Sequence, residues 1–181
     1  MALYFITGNK NKFDEARRVI PELKEKEIDL LEIQETDAHK IIKEKMNEAM
    51  KHHKSGEGFV IEDTSLYFDC LGGLPGPLIK WFLESIGSEG LYNITEKLGN
   101  DKAEARTILG YSDGKDLKFF EGSIEGRIVK PEKKTGFGWD NIFQPRGYEK
   151  PFVDMTREDK NEISMRGLAF KKLREYLESR K

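Results

Sequence analysis

Glu62 and Asp63 stand side by side after a short apolar run, Phe59-Val60-Ile61, with Thr64 and Ser65 directly behind them. The run predicts a buried strand over Gly58–Glu62 that delivers two carboxylates to its end. Such a donor set suits a magnesium–phosphate site. Hard cations take oxygen ligands, and Mg²⁺ commonly keeps one or two carboxylates and completes its shell with substrate phosphates. The Gly/Pro-dense stretch Gly72-Gly73-Leu74-Pro75-Gly76-Pro77 then re-aims the backbone before a helix-like segment. Taken alone, the same residues describe an exposed turn with solvated acids.

Three further segments carry chemistry. Thr7-Gly8-Asn9-Lys10-Asn11-Lys12 follows a first apolar run and opens a helix. Free backbone N–H groups and the helix dipole make that arrangement an anion site, and Lys12 adds positive charge. The spacing is neither a P-loop nor a dinucleotide fingerprint, and a plain loop into a surface helix accounts for it equally well. Gly136-Phe137-Gly138-Trp139-Asp140 places two aromatics around a glycine, a platform for a flat ring with Asp140 as a polar tether. Aromatic core packing beside a bend is the plainer alternative. Lys160-Asn161-Glu162-Ile163-Ser164-Met165-Arg166 opens the last helix, and Thr156 with Asp159 has the form of an N-cap. Lys160 and Arg166 are placed there to grip phosphate or a base edge, or else to sit on a solvated face.

The elements that must position these residues follow from periodicity. Strands are predicted at Leu3–Thr7, Ile28–Ile33, Gly58–Glu62, Ala103–Ser112, Lys115–Gly122 and Ser123–Val129, with a hairpin signal at Ser112-Asp113-Gly114. Helices are predicted at Lys12–Lys24, His39–Lys54, Pro77–Ile86, Ser88–Leu98 and Ser164–Arg180. Strand–helix alternation followed by a meander indicates an α/β fold, a mixed twisted sheet with flanking helices. The 181 residues fit a single domain. With 31 Lys+Arg against 33 Asp+Glu, net charge −2, and no basic run, no nucleic-acid partner is expected. Cys70 is the one cysteine, so no intrachain disulfide forms and a reducing, cytoplasmic location is expected. No run approaches a membrane span, the apolar start is too short for a signal peptide, and His39, His52 and His53 lack zinc-like spacing.

In combination and in this order, TGNxxK, EDTSL before GGLPGPLIKWF, FGWDxxFQP and KNxxSxR resemble the inosine-triphosphate pyrophosphatase family, from Leu3 to about Leu177. The resemblance implies an elongated α/β fold with two lobes around a nucleotide cleft, usually a homodimer. It also implies Mg²⁺-dependent hydrolysis of deaminated purine nucleoside triphosphates (ITP, dITP, XTP) to monophosphate and pyrophosphate. Carried over by position, Asp63 is the metal ligand and water-activating carboxylate, assisted by Glu62. Glu32 is the other metal-binding acid, and on its own it is equally an exposed acid on an edge strand. Lys12, Lys45 and Lys160 neutralise the triphosphate, with Lys43 the rival of Lys45. Thr7, Gly8, Asn9 and Thr64 donate to phosphate oxygens. Phe137 stacks on the purine beside Gly138, Trp139 and Asp140 frame its edge, and Arg166 donates to the 6-oxo oxygen. Met165 stands where the family usually has histidine, and methionine cannot donate a hydrogen bond to a base. The same chemistry with altered base preference, or a catalytically weak nucleotide-binding module, are the alternatives.

Overall fold

A computed structural model of the chain describes residues 2–52, 54, 56–133 and 136–180; His53 lies outside these. The chain begins with β1 (Ala2–Ile6), α1 (Lys10–Val19), β2 (Lys24–Lys26), α2 (Ala38–Lys51) and β3 (Glu57–Phe68). It continues through β4 (Pro75–Gly76), α3 (Ile79–Leu98), β5 (Lys102–Ser112), β6 (Leu117–Ile128) and β7 (Phe143–Pro145), and closes with α4 (Arg157–Ile163) and α5 (Met165–Glu178). Among the described residues the strands form one mixed sheet in the order β2-β1-β3-β5-β6-β7, with β4 paired to β3. The sheet and its flanking helices agree with the expected α/β class.

β1 pairs in parallel with β2 on one side and β3 on the other. The chain therefore leaves the carboxyl end of β1 through α1 in one direction and returns through α2 in the other. Open α/β sheets bind ligands at such a divergence. Side chains alternate along a strand, and the packing follows that alternation. Leu3, Phe5, Val60 and Leu109 pack against Phe13 and Ala16 of α1 and Phe170 and Leu173 of α5. Ile6, Phe59, Ile61 and Ile108 pack on the opposite face against Ile42, Met46 and Ala49 of α2. A third cluster joins Leu66 and Phe68 to Ile79, Leu91, Trp139, Phe143 and Phe152. Glu62 thus shares the α1/α5 face with Val60, and Asp63 shares the α2 face with Ile61.

β1 covers the edge of β3 over Glu57–Val60, and β4 covers it over Leu66–Tyr67. Between them Ile61–Ser65 is paired only with β5. Groups from both faces of the sheet reach a common cleft through this opening. Two glycines seat the start of α5, one against β6 and one against α4. A Cβ at Gly122 would lie 2.1 Å from the Met165 carbonyl oxygen, and one at Gly167 would lie 1.8 Å from that of Asn161. Only hydrogen permits either approach, and together they fix Arg166 beside β3.

Several expected boundaries change. Glu62 and Asp63 lie in the middle of a strand that runs on to Phe68, because the hydroxyl-rich continuation pairs with β5. Ile28–Ile33 is not a strand; the short β2 takes the sheet edge, and Ile28 and Leu30 pack against the α2 cluster from an irregular path. The first helix stops at Val19, ahead of Pro21, as the restriction on the residue before proline dictates. Lys115–Gly122 and Ser123–Val129 merge into β6. The last helix is preceded by a separate α4, broken at Ser164, whose ψ of 151° is extended. The expected break at Gly87 and the hairpin after Ser112 are present.

Candidate active site

The cleft has a volume of about 640 Å³ and is lined by the Thr7-Gly8-Asn9 turn, Lys12, the 28–34 segment, Lys45, Ile61–Thr64, the start of α3 and the Phe137–Asp140 loop. The turn is built by its own side chains. Asn9 caps α1 by accepting the Lys12 N–H at 3.2 Å, while its own N–H donates to Thr7 Oγ1 at 3.1 Å. No acidic residue occupies the first turn of α1, so the end of the helix nearest β1 keeps its positive character.

On the α1/α5 face, Arg166 is 2 % exposed and holds Glu62 in a two-pronged pair. Its Nε donates to Oε2 at 2.8 Å and its Nη2 to Oε1 at 2.9 Å. Nη2 also donates to Thr64 Oγ1, and Nη1 to Glu15. Lys12 Nζ reaches Glu62 Oε1 at 3.0 Å. Lys160 Nζ joins Glu15 at 2.8 Å to Asp140 at 2.6 Å. Burial alone would raise the Glu62 carboxyl, but Arg166 and Lys12 outweigh it and hold it at about 2. Burial likewise pushes the Glu15 carboxyl up, but Arg166 and Lys160 overcome it, and the group ends below the ordinary carboxylate range.

On the α2 face the balance reverses. Lys45 Nζ contacts Glu32 and lies 3.5 Å from Asp63 Oδ1, and Ser65 donates to Asp63 Oδ2 at 3.2 Å. Burial pushes the Asp63 carboxyl up, with Glu32 adding to the shift and Lys45 and Lys12 only partly opposing it. Glu32, half in solvent, is lowered: Lys45 outweighs its desolvation. The neighbouring carboxylates therefore differ in kind. Glu62 is neutralised by fixed cations, whereas Asp63 is desolvated and under-compensated.

Among the described residues no three His, Cys, Asp or Glu side chains gather as a metal cage. Asp63 and Glu32, sharing Lys45, instead offer two carboxylates facing a cleft. That donor set fits a hard divalent cation that takes its remaining oxygens from phosphate and water.

The structure brings the sequence-predicted residues together, with some adjustments. Glu62 and Asp63 do not stand side by side, since they project from opposite faces of β3. Lys45 is buried and lines the cleft, while Lys43 is exposed. Trp139 is 6 % exposed, edge-on to Phe143 and tilted against Phe152, so the core reading describes its ring. Phe137 is half-buried, with Lys160 Nζ and the Arg166 guanidinium 5.4 and 5.6 Å from its centroid. Lys160 lies beneath this loop, bonded to Asp140 and Glu15. Sequence reasoning missed Glu15. Its signal was its position one helical turn after Lys12 on α1.

Residues 3–176 match the Ham1 family. The chain is 38% identical over 185 residues to the inosine triphosphate pyrophosphatase of Schizosaccharomyces pombe, covering 99% of this chain and 97% of that protein. Its fold resembles the Staphylococcus aureus Ham1 protein with a TM-score of 0.81 at 22% identity, covering 99% of each chain. It also resembles a nucleoside-triphosphatase (dITP/XTP pyrophosphatase) from Mycobacterium abscessus, with a TM-score of 0.71 at 25% identity over 96% and 98% of the two chains.

Proposed function

From the premise that this chain belongs to the Ham1 family, we propose that it hydrolyses inosine triphosphate and the related dITP and XTP to monophosphate and pyrophosphate. The observation that carries the reading is the open stretch of β3. There a desolvated carboxylate, Asp63, meets Lys45 and Glu32, while Lys12 and the capped start of α1 face the same cleft. Water attacks the α-phosphorus, the bond from that phosphorus to the α,β-bridging oxygen breaks, and pyrophosphate departs. Asp63, with its raised carboxyl, receives the proton of the attacking water. Lys12, Lys45 and the N–H groups of the Thr7–Asn9 turn neutralise the charge that develops, which is where phosphoryl transfer gains most of its rate. Asp63 and Glu32 would hold Mg²⁺, which when bound supplies further charge neutralisation at the phosphates.

The base lies against Phe137 in this reading, with Asp140 and Lys160 behind the loop. Arg166 spends four of its five N–H donors on Glu62, Thr64 and Glu15. Met165, 2 % exposed, belongs to the apolar cluster and also lines the cleft. These two observations favour a second reading with the same chemistry, in which base preference is broader. Incubation with Mg²⁺ and equimolar ITP, XTP, dITP, GTP and ATP separates them. Monophosphate and pyrophosphate chiefly from the first three support the main reading, and equal rates on ITP and ATP support the second. Nucleotide bound without turnover in any arm would refute the hydrolase. No helix among the described residues is long and apolar enough to cross a membrane. A cytoplasmic homodimer is part of the proposal, and sedimentation of the purified protein tests the dimer.

A further inference from the structure

Thr107 is fully buried on β5 and stands directly opposite Thr64 in the β3–β5 register. Their hydroxyl oxygens are 2.9 Å apart. Thr64 Oγ1 has two further partners, Glu62 Oε1 at 3.2 Å and Arg166 Nη2 at 3.2 Å. A hydroxyl has one proton to give and two lone pairs to fill. Arg166 can only donate. Both Glu62 carboxylate oxygens already accept from Arg166, and Glu62 accepts here as well. The bond to Glu62 therefore uses the Thr64 proton, and Thr107 must donate its own proton into the remaining Thr64 lone pair.

We propose that Thr107 is a positioning residue that keeps the Thr64 hydroxyl a donor directed along the open edge of β3. The inference rests on the reading of this cleft as a nucleoside triphosphate site. With Arg166 and Thr107 filling both lone pairs, the Thr64 O–H has two places to point: Glu62, where it lies in the unliganded protein, or a phosphate oxygen entering the cleft. Transfer from one to the other is inexpensive for Glu62, which retains both prongs of Arg166 and the Lys12 contact. Without the Thr107 hydroxyl, one buried Thr64 lone pair is left unfilled and nothing on β5 anchors the Thr64 side chain, so its O–H is no longer held in place for the incoming phosphate.

The test compares wild type, Thr107→Val, Thr107→Ser, Thr64→Val and the double variant Thr64→Val/Thr107→Val in steady-state ITP hydrolysis. Calorimetric binding of an α,β-imido ITP analogue is measured in parallel. Valine preserves the branched shape on a buried strand, and each variant's melting curve checks that it remains folded. Thr107→Val should raise KM and the analogue Kd about three- to tenfold, consistent with loss of one hydrogen bond, with kcat within about twofold. Thr107→Ser should restore both values, and Thr107→Val should add nothing in the Thr64→Val background. Unchanged KM and Kd in Thr107→Val, equal impairment in Thr107→Ser, or additive effects in the double variant would each overturn the proposal. If wild type binds the analogue but hydrolyses no nucleotide, the proposed function fails while the Kd comparison still decides the role of Thr107. If it does neither, both fall.

Discussion

On one face of β3, Glu62 is enclosed by Arg166 and Lys12 in a network that runs through Glu15 and Lys160 to Asp140; on the other face, one residue later, Asp63 shares a single lysine with Glu32. The first arrangement is close to charge-balanced and nearly dry. The second carries two carboxylates for one cation, at the mouth of a cleft. Buried ion networks are poor sources of net stability, but removing one member leaves an uncompensated charge. An under-compensated, desolvated carboxylate is instead suited to a proton or a cation. On the proposed function, the first face holds the site in shape and the second does the chemistry.

The largest expected effect breaks the second face. Asp63→Asn should lower kcat by about 10²–10⁴-fold, the range associated with a positioned acid–base group. Its stability should be unchanged or raised, because a desolvated charge is removed. Near-normal turnover of this variant would remove Asp63 from the chemistry. Glu62→Ala should have the converse profile and destabilise by about 3–5 kcal/mol, since it strands the Arg166 guanidinium. For a chain of this length that is roughly 6–20 °C in Tm, readable by calorimetry.

Acid titration sharpens the same contrast. The folded Glu62 carboxyl is depressed, so its contribution is fully present above the unfolded value of 4.5 and is lost as pH falls from there toward about 2. The amount at neutral pH is on the order of 3 kcal/mol. Asp63 has the opposite sign: its folded carboxyl is raised, so its charge costs stability at neutral pH and that cost disappears in acid. Denaturant midpoints measured from pH 6 to 2 should fall steeply in wild type and flatten in Glu62→Gln. An identical slope in the two proteins would contradict the pairing. The smallest effect is at Lys43. Lys43→Ala should leave stability within about 0.5 kcal/mol, as exposed substitutions do, and ITP turnover within twofold. A deficit there comparable to that of Lys45→Ala would mean that α2 presents the other lysine.

Much of this was legible along the chain. The apolar run before Glu62, the turn at Gly72–Pro77, the hairpin after Ser112 and the Thr156 cap onto the Asp159 N–H all rest on local rules, and the structure contains them. Ile28–Ile33 misled because its apolar residues contact a core cluster from an irregular path, and β2 already occupies that edge of β1. The strand beyond Glu62 was hidden for a related reason: Asp63-Thr64-Ser65 lacks a strand's apolar signature, and pairing with β5 supplies what composition does not. Glu15 lay one helical turn from Lys12, but its partners Lys160 and Arg166 are 145 and 151 residues away.

By itself the sequence determined which donors exist, the elements that carry them and the order in which they come, because propensity, capping and turn chemistry act over a few residues. Only the tertiary structure decided that adjacent carboxylates would meet opposite surroundings. That outcome depends on the two-residue alternation of a strand set between α1 and α5 on one side and α2 on the other, and on the cations each layer brings, which no local pattern specifies.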